Sequence, residues 1–179
     1  MDIWVRLARY SVIESDRLFL RPFLFTDIPD FQEIMFNKEN TIFIFPSQDS
    51  FHHELLAVHT FMKNPLGVWV IHHKEHNRMI GLIRFEKIDT RDKVAELGYF
   101  LNKRYWNKRY MTEAVELVSE LTFKNIGFKE IRIITHKENK ASQAVAKNSG
   151  YTYFKQFRGS DRYTHKTKDY LIFRRLKGK

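Results

Sequence analysis

The sequence predicts an α/β fold of the α+β kind: a mixed central sheet of about seven strands with helices on both faces. Three observations carry this. The middle of the chain holds three consecutive strand-like runs separated by polar turns, the pattern of an antiparallel meander. Ahead of it stand one strand and two helical segments. After it, strands alternate with helices. The resulting order is β-α-α-β-β-β-α-β-α-β-β, which places helices against both faces of one sheet. The 179 residues are the length of one domain, and no internal repeat or low-complexity linker divides them. One domain over residues 1–179 is expected, with residues 1–13 as an N-terminal extension.

Leu18-Phe19-Leu20-Arg21-Pro22-Phe23 is apolar and ends at a proline, as a first strand does. Thr26 is placed to cap the next helix, with Asp27 in its first turn. Ile28, Phe31, Ile34 and Met35 share one face of that helix. Ser50 is placed to cap a second helix whose apolar positions are Leu55, Val58 and Met62, and Asn64-Pro65-Leu66-Gly67 ends it. The meander runs over Val68 to His72, Met79 to Lys87 and Val94 to Leu101, with a turn at Glu75-His76-Asn77 and a charged loop from Asp89 to Lys93. A basic loop, Asn102 to Arg109, leads into a helix with an apolar stripe of Met111, Ala114, Val115, Val118 and Leu121; Gly127 lies just past its end. Ile131 to Thr135 is a strand, and Asn139 to Asn148 a short helix closed by Gly150. Tyr151 to Phe157 and Tyr170 to Leu176 are the last two strands.

Composition narrows the chemistry. The chain is 43% hydrophobic with 16 phenylalanines, enough for one ordinary core, and no apolar run approaches the roughly 18 residues that span a bilayer. The N-terminus lacks the basic-then-apolar plan of a secretory signal, so a cytoplasmic setting is the default expectation. There is no cysteine, which excludes disulfides, thiolate metal sites and cysteine catalysis. The net charge of +10 favours anionic partners, whether a phosphorylated cofactor or nucleic acid, but equally describes a basic surface that keeps the protein soluble.

Two segments carry more. One is Ala95-Glu96-Leu97-Gly98-Tyr99-Phe100-Leu101 followed by Tyr105-Trp106-Asn107-Lys108-Arg109-Tyr110-Met111-Thr112-Glu113-Ala114. The other is Asn139-Lys140-Ala141-Ser142 followed by Val145-Ala146-Lys147-Asn148-Ser149-Gly150-Tyr151. With Arg17-Leu18-Phe19-Leu20-Arg21-Pro22-Phe23 ahead of them, this order resembles the GNAT superfamily of N-acetyltransferases, closest to its ribosomal-protein (RimJ/RimL-type) alanine N-acetyltransferase branch. The resemblance runs from about Glu14 to Leu176. It implies a mostly antiparallel sheet, acetyl-CoA as acyl donor, and a primary amine as acceptor, a protein N-terminus or a small molecule. It also implies that Tyr99, Phe100, Leu101, Arg104, Asn107, Lys108, Arg109, Tyr110, Met111, Thr112, Asn139 and Ser142 hold the cofactor.

The chain departs from that pattern where the family has loop glycines, carrying Asn107 and Arg109 instead. Such a loop binds pyrophosphate with unpaired N–H groups at a helix N-terminus. Asparagine tolerates the left-handed backbone that glycine supplies; arginine tolerates it less well but brings a charge for phosphate. Either Lys108 and Arg109 help grip the cofactor, or the site is weakened.

Acyl transfer to an amine needs a proton acceptor, an oxyanion donor and a donor for the departing thiolate. Alternation puts Glu96 on the face opposite Leu97 and Tyr99, and the resemblance makes it the first candidate base; a strand glutamate in a salt bridge is the plain alternative. Glu86 is the reserve. Ser142 is the candidate acid near sulfur, one turn after Asn139, although Asn139 serves equally as an N-cap with Ser142 in the first turn. His136, at a strand end, is a candidate base or an ordinary loop residue. Trp106 and Tyr105 either line the cleft or pack the loop. The segment Arg158 to Lys166 is expected to form a long hairpin over the acceptor site. His52-His53 and His72-His73-His76 are not expected to bind metal, because neighbouring strand residues face opposite ways and no carboxylate pattern accompanies them. A homodimer is left open, no membrane is expected, and no nucleic-acid motif is present. A catalytically weakened binding module using the basic surface remains the alternative to an enzyme.

Overall fold

A computed structural model describes residues 2–44, 50–161 and 164–178, apart from the side chains of Ser50 and Phe51. The predicted cap at Ser50 and the loop positions Arg162 and Tyr163 therefore lie outside the described residues. In chain order the elements are α1 (Ile3–Arg9), β1 (Ile13–Glu14), β2 (Leu18–Arg21), α2 (Ile28–Phe36), α3 (Lys38–Thr41), α4 (Ser50–Ala57), β3 (Val68–His73), β4 (Arg78–Asp89) and β5 (Val94–Leu101). Then come α5 (Tyr110–Leu121), β6 (Glu130–His136), α6 (Lys140–Asn148), β7 (Thr152–Ser160) and β8 (Thr167–Leu176). The strands form one sheet in the order β1-β2-β3-β4-β5-β6-β8-β7, with antiparallel neighbours except for the parallel pair β5–β6. The extra strand beyond the expected seven is β1, whose two residues are too short to show a period of their own.

Two cores flank the sheet. α1, α5 and α6 cover one face with Leu7, Ala114, Val115, Val118 and Ala146. α2, α4 and the turn after it cover the other with Phe31, Ile34, Met35, Ala57 and Phe61. β5 feeds both: Leu97 enters the first and Phe100 the second, as strand alternation requires. The N-terminal extension is part of this packing. Leu7 is fully buried, the Arg6 guanidinium donates to the Ile126 carbonyl at 3.1 Å, and the Trp69 indole donates to the Tyr10 carbonyl at 3.0 Å.

Two local readings are corrected. Thr26 does not cap α2; it lies inside a 3₁₀ turn, Phe25–Asp27. The organising residue is Asp27, which accepts the Leu24 N–H and a two-pronged Arg21 contact, all at 2.8 Å. In α4 the expected stripe faces outward, with Leu55 53% and Met62 43% exposed, while His53, Ala57, Thr60 and Phe61 are buried. The buried positions keep a helical spacing through the π turn over Val58–Met62, but two of them are the polar His53 and Thr60, which an apolar stripe does not reveal. α5 likewise ends in a π turn, Thr122–Ile126, stopped by Gly127 at φ 98°.

Candidate active site

β5 and β6 pair over only three positions, Val94–Glu96 against Glu130–Arg132. Beyond Glu96 the strands part, and a cavity of about 930 Å³ opens between Leu97–Leu101 and Ile133–His136. Backbone groups that a neighbouring strand would otherwise satisfy are left facing this gap.

One end of the cavity is formed by the loop before α5. Asn107 takes φ 60° and Arg109 takes φ 65°, ψ 10°, so both residues standing where the family pattern has glycine adopt the left-handed conformation. That conformation costs a non-glycine residue on the order of 1–2 kcal/mol. The loop is tied from behind by Arg17, which donates to the Lys108 carbonyl at 3.1 Å and to Glu113 at 2.7 Å, and stacks on the Tyr110 ring at 4.2 Å. Ser15 donates to the same Glu113 carboxylate at 2.6 Å. Burial pushes the Glu113 carboxyl up, but these Ser15 and Arg17 bonds outweigh it and hold the group below its usual range. α5 therefore starts with its first N–H groups beside the cavity, the polarity that favours an anion.

The middle of the cavity is flanked by α6. Asn139 accepts the Ser142 N–H at 3.0 Å, so it is the helix cap, and the Ser142 hydroxyl lies 3.1 Å from the Tyr99 hydroxyl. Burial drives the Tyr99 phenol far above its usual range, so it stays a neutral hydrogen-bonding group.

The rest of the wall is built from side chains. Glu86 is the extra residue of a β-bulge between Phe85 and Lys87, and Arg84 donates to its two oxygens at 2.7 and 2.9 Å. Gly98 makes room for it: a Cβ there would sit 2.7 Å from the Glu86 Cγ. Glu96 stands at the last β5–β6 pair, and its carboxylate makes no hydrogen bond or ion pair among the described residues. His136, at the open end of β6, lies 3.3 Å from the carboxylate of Asp161, with Tyr170 and Phe43 on either side.

Of the residues expected to hold a cofactor, Tyr99, Phe100, Leu101, Asn107 and Arg109 lie on the cavity wall, as do Tyr110, Met111, Thr112, Asn139 and Ser142. Arg104 and Lys108 do not. Arg104 is an exposed side chain paired with Glu33 of α2 at 3.2 Å, and Lys108 extends over the Tyr105 ring. Trp106 and Tyr105 do both things expected of them: they line the cavity and pack the loop, the Trp106 indole donating to the Leu101 carbonyl at 2.8 Å. The sequence reading did not single out Arg17, Arg84, Asp161 or Tyr170. For Asp161 a local signal exists, the Asp-x-x-Thr spacing in which its Oδ1 accepts both the N–H and the hydroxyl of Thr164.

The histidines divide as alternation requires. His72 meets Arg21 and Asn77, while the buried His73 meets Tyr110 at 2.8 Å. The expectation that no carboxylate accompanies them is corrected: Glu75 brings an oxygen close to the ring nitrogens of His73 and His76, all within 4.8 Å of one another. Those nitrogens are largely engaged, since His73 Nδ1 accepts the His76 N–H and His76 Nδ1 meets the Tyr105 hydroxyl at 2.8 Å. The two rings also stack at 4.2 Å, and the cluster contacts Tyr105 and Tyr110.

Residues 17–152 match the family model described as the acetyltransferase (GNAT) domain. The chain belongs to this family. Membership makes the GNAT chain an acetyltransferase. It is 23% identical over 147 residues to an uncharacterized N-acetyltransferase, YoaA, of Bacillus subtilis, covering 79% of this chain and 83% of that one. Its fold is that of an acetyltransferase of the GNAT family from Bacillus anthracis, with a TM-score of 0.82 at 21% identity over 93% of this chain and 98% of that one. It is also that of RimL, a ribosomal L7/L12 alpha-N-protein acetyltransferase solved with coenzyme A, at a TM-score of 0.79 and 17% identity over 92% and 97% of the two chains. Among the described residues no helix is long and apolar enough to cross a membrane.

Proposed function

We propose that the protein transfers an acetyl group from acetyl-CoA to a primary amine by direct attack within a ternary complex. The observation that carries this reading is the gap between β5 and β6, which ends at a helix N-terminus preceded by two left-handed residues. An extended donor arm laid along Tyr99–Leu101 meets strand backbone lacking a neighbour. Its pyrophosphate meets the first turn of α5, with Arg109 adding a positive charge. The Ser142 hydroxyl, backed by Tyr99, supplies the hydrogen-bond donor for the departing thiolate. Both Glu96 and His136 stand on the wall as groups able to accept the amine proton. The N-terminal amine of a polypeptide is the acceptor class to test first, since the sequence pattern resembles the Rim-type branch and RimL shares the fold.

The test is calorimetric titration with acetyl-CoA, followed by thiol release with a panel of peptides and small amines. Binding in the micromolar range and amine-dependent thiol release are expected. No heat of binding at millimolar acetyl-CoA would overturn the reading.

A further inference from the structure

We propose that His136, held in place by Asp161, is the group that takes the proton from the attacking amine. This rests on the acyl-transfer reading above and names the proton acceptor within the same site. Glu96 stands where β5 and β6 are still paired, at the closed end of the gap. His136 lies four residues past its Arg132 partner, about 13 Å along the strand and well into the opened region. It is also built as an oriented base. Its Nε2 lies 3.3 Å from Asp161 Oδ2, its side chain is 14% exposed, and Phe43 and Tyr170 flank the ring at centroid distances of 5.4 and 4.6 Å. Asp161 is itself fixed, its Oδ1 by the Thr164 N–H and hydroxyl at 2.7 and 2.8 Å and its Oδ2 by the Tyr170 hydroxyl at 3.3 Å. A base within reach of a third group that sets its tautomer is the general arrangement for activating a nucleophile. A proton kept on Nε2 by the nearby Asp161 carboxylate leaves the lone pair on Nδ1.

The step balances as follows. A neutral amine forms the N–C bond to the thioester carbonyl while one N–H proton passes to His136. The C–S bond then breaks, and the thiolate is protonated from solvent through Ser142. The imidazolium returns its proton to water, and an ammonium substrate has already released one to solvent. Burial lowers the pKa of His136. The Asp161 carboxylate opposes this, Lys168 of β8 adds to the lowering, and Glu138 opposes it, leaving the imidazole neutral near pH 7.

The experiment follows acetyl-CoA turnover against pH for the wild type, His136→Gln, Asp161→Asn and Glu96→Gln, with a carbon-13 NMR titration of the His136 ring in the wild type. The acid limb of kcat/KM should match the ring titration. His136→Gln should lower kcat by roughly 100-fold or more and abolish the limb, with acetyl-CoA affinity within twofold of the wild type. Asp161→Asn removes the anion that raises the His136 pKa, so its limb should move to lower pH. A His136→Gln kcat within threefold of the wild type overturns the proposal, as does a limb that does not match the ring titration or does not move in Asp161→Asn. So does loss of turnover in Glu96→Gln alone. A wild type that turns over no acetyl-CoA with any amine overturns the acyl-transfer reading itself and this role with it.

Discussion

At the α5 end of the cavity the wall is mostly backbone: two left-handed residues, a helix start, and an arginine that holds the loop through the Lys108 carbonyl. Along the rest of the wall it is mostly side chain: Glu86 in the fork of Arg84, and His136 against an Asp161 that Thr164 and Tyr170 hold in place. On the acyl-transfer reading the contrast follows from what each part would recognise. A phosphate group is the same in every turnover, so fixed N–H groups suffice, whereas an acceptor amine with its own side groups needs charge and shape from side chains. So read, the donor end carries strain and a motif, and the acceptor wall carries tertiary contacts without a motif.

The largest effect should come from breaking what both ends share. A Cβ at Gly81 would run into the Phe100 carbonyl oxygen, a backbone atom that cannot step aside. Gly81→Ala should cost about 3 kcal/mol of stability, read by urea unfolding, and degrade both ends together. Arg109→Gly separates them. It should weaken acetyl-CoA binding by roughly tenfold through loss of a charge-assisted contact. It should also raise stability by about 0.5–1 kcal/mol, because glycine takes φ 65° without strain. Calorimetry and unfolding on the same sample check both signs. Gly98→Ala acts at the acceptor end: its methyl would displace the Glu86 side chain, raising the amine KM severalfold while leaving donor affinity unchanged.

The smallest effect is common to both ends. Burial comes first among the causes that lower the pKa of His73 behind the loop and of His136 at the acceptor end. Below about pH 6.5 the unfolded chain binds protons that these folded residues refuse, so stability should fall as the pH drops from there and level off below their folded values. Urea unfolding at stepwise lower pH should show this fall, and His73→Asn should reduce it.

How much of this was legible in the sequence follows the same division. The meander, the stripe of α5 and the Asn139-to-Gly150 helix are local patterns, and they stand where the sequence analysis put them. The loop glycine positions could be read as left-handed sites from the resemblance alone, and Asn107 and Arg109 take that form. What could not be read depends on distant partners. The pairing of Arg104 with Glu33, 71 positions earlier, depends on how α2 packs and has no local signal. Asp161 reaches His136 because the β7–β8 hairpin folds back along β6, a pairing no spacing rule announces. The buried face of α4 was missed because it carries the polar His53 and Thr60 while apolar Leu55 and Met62 point outward.

The three register pairs between β5 and β6 have a mechanical consequence. They are all that the ladder offers to join the five strands from β1 to β5 to the other three. Torsional stiffness across this seam must come from α5 and α6, which pack against each other over it. Twisting one part of the sheet against the other then changes the width of the gap without breaking a strand hydrogen bond. The aperture of the cavity therefore depends on how α5 and α6 pack, and whatever lies across both arms stiffens it.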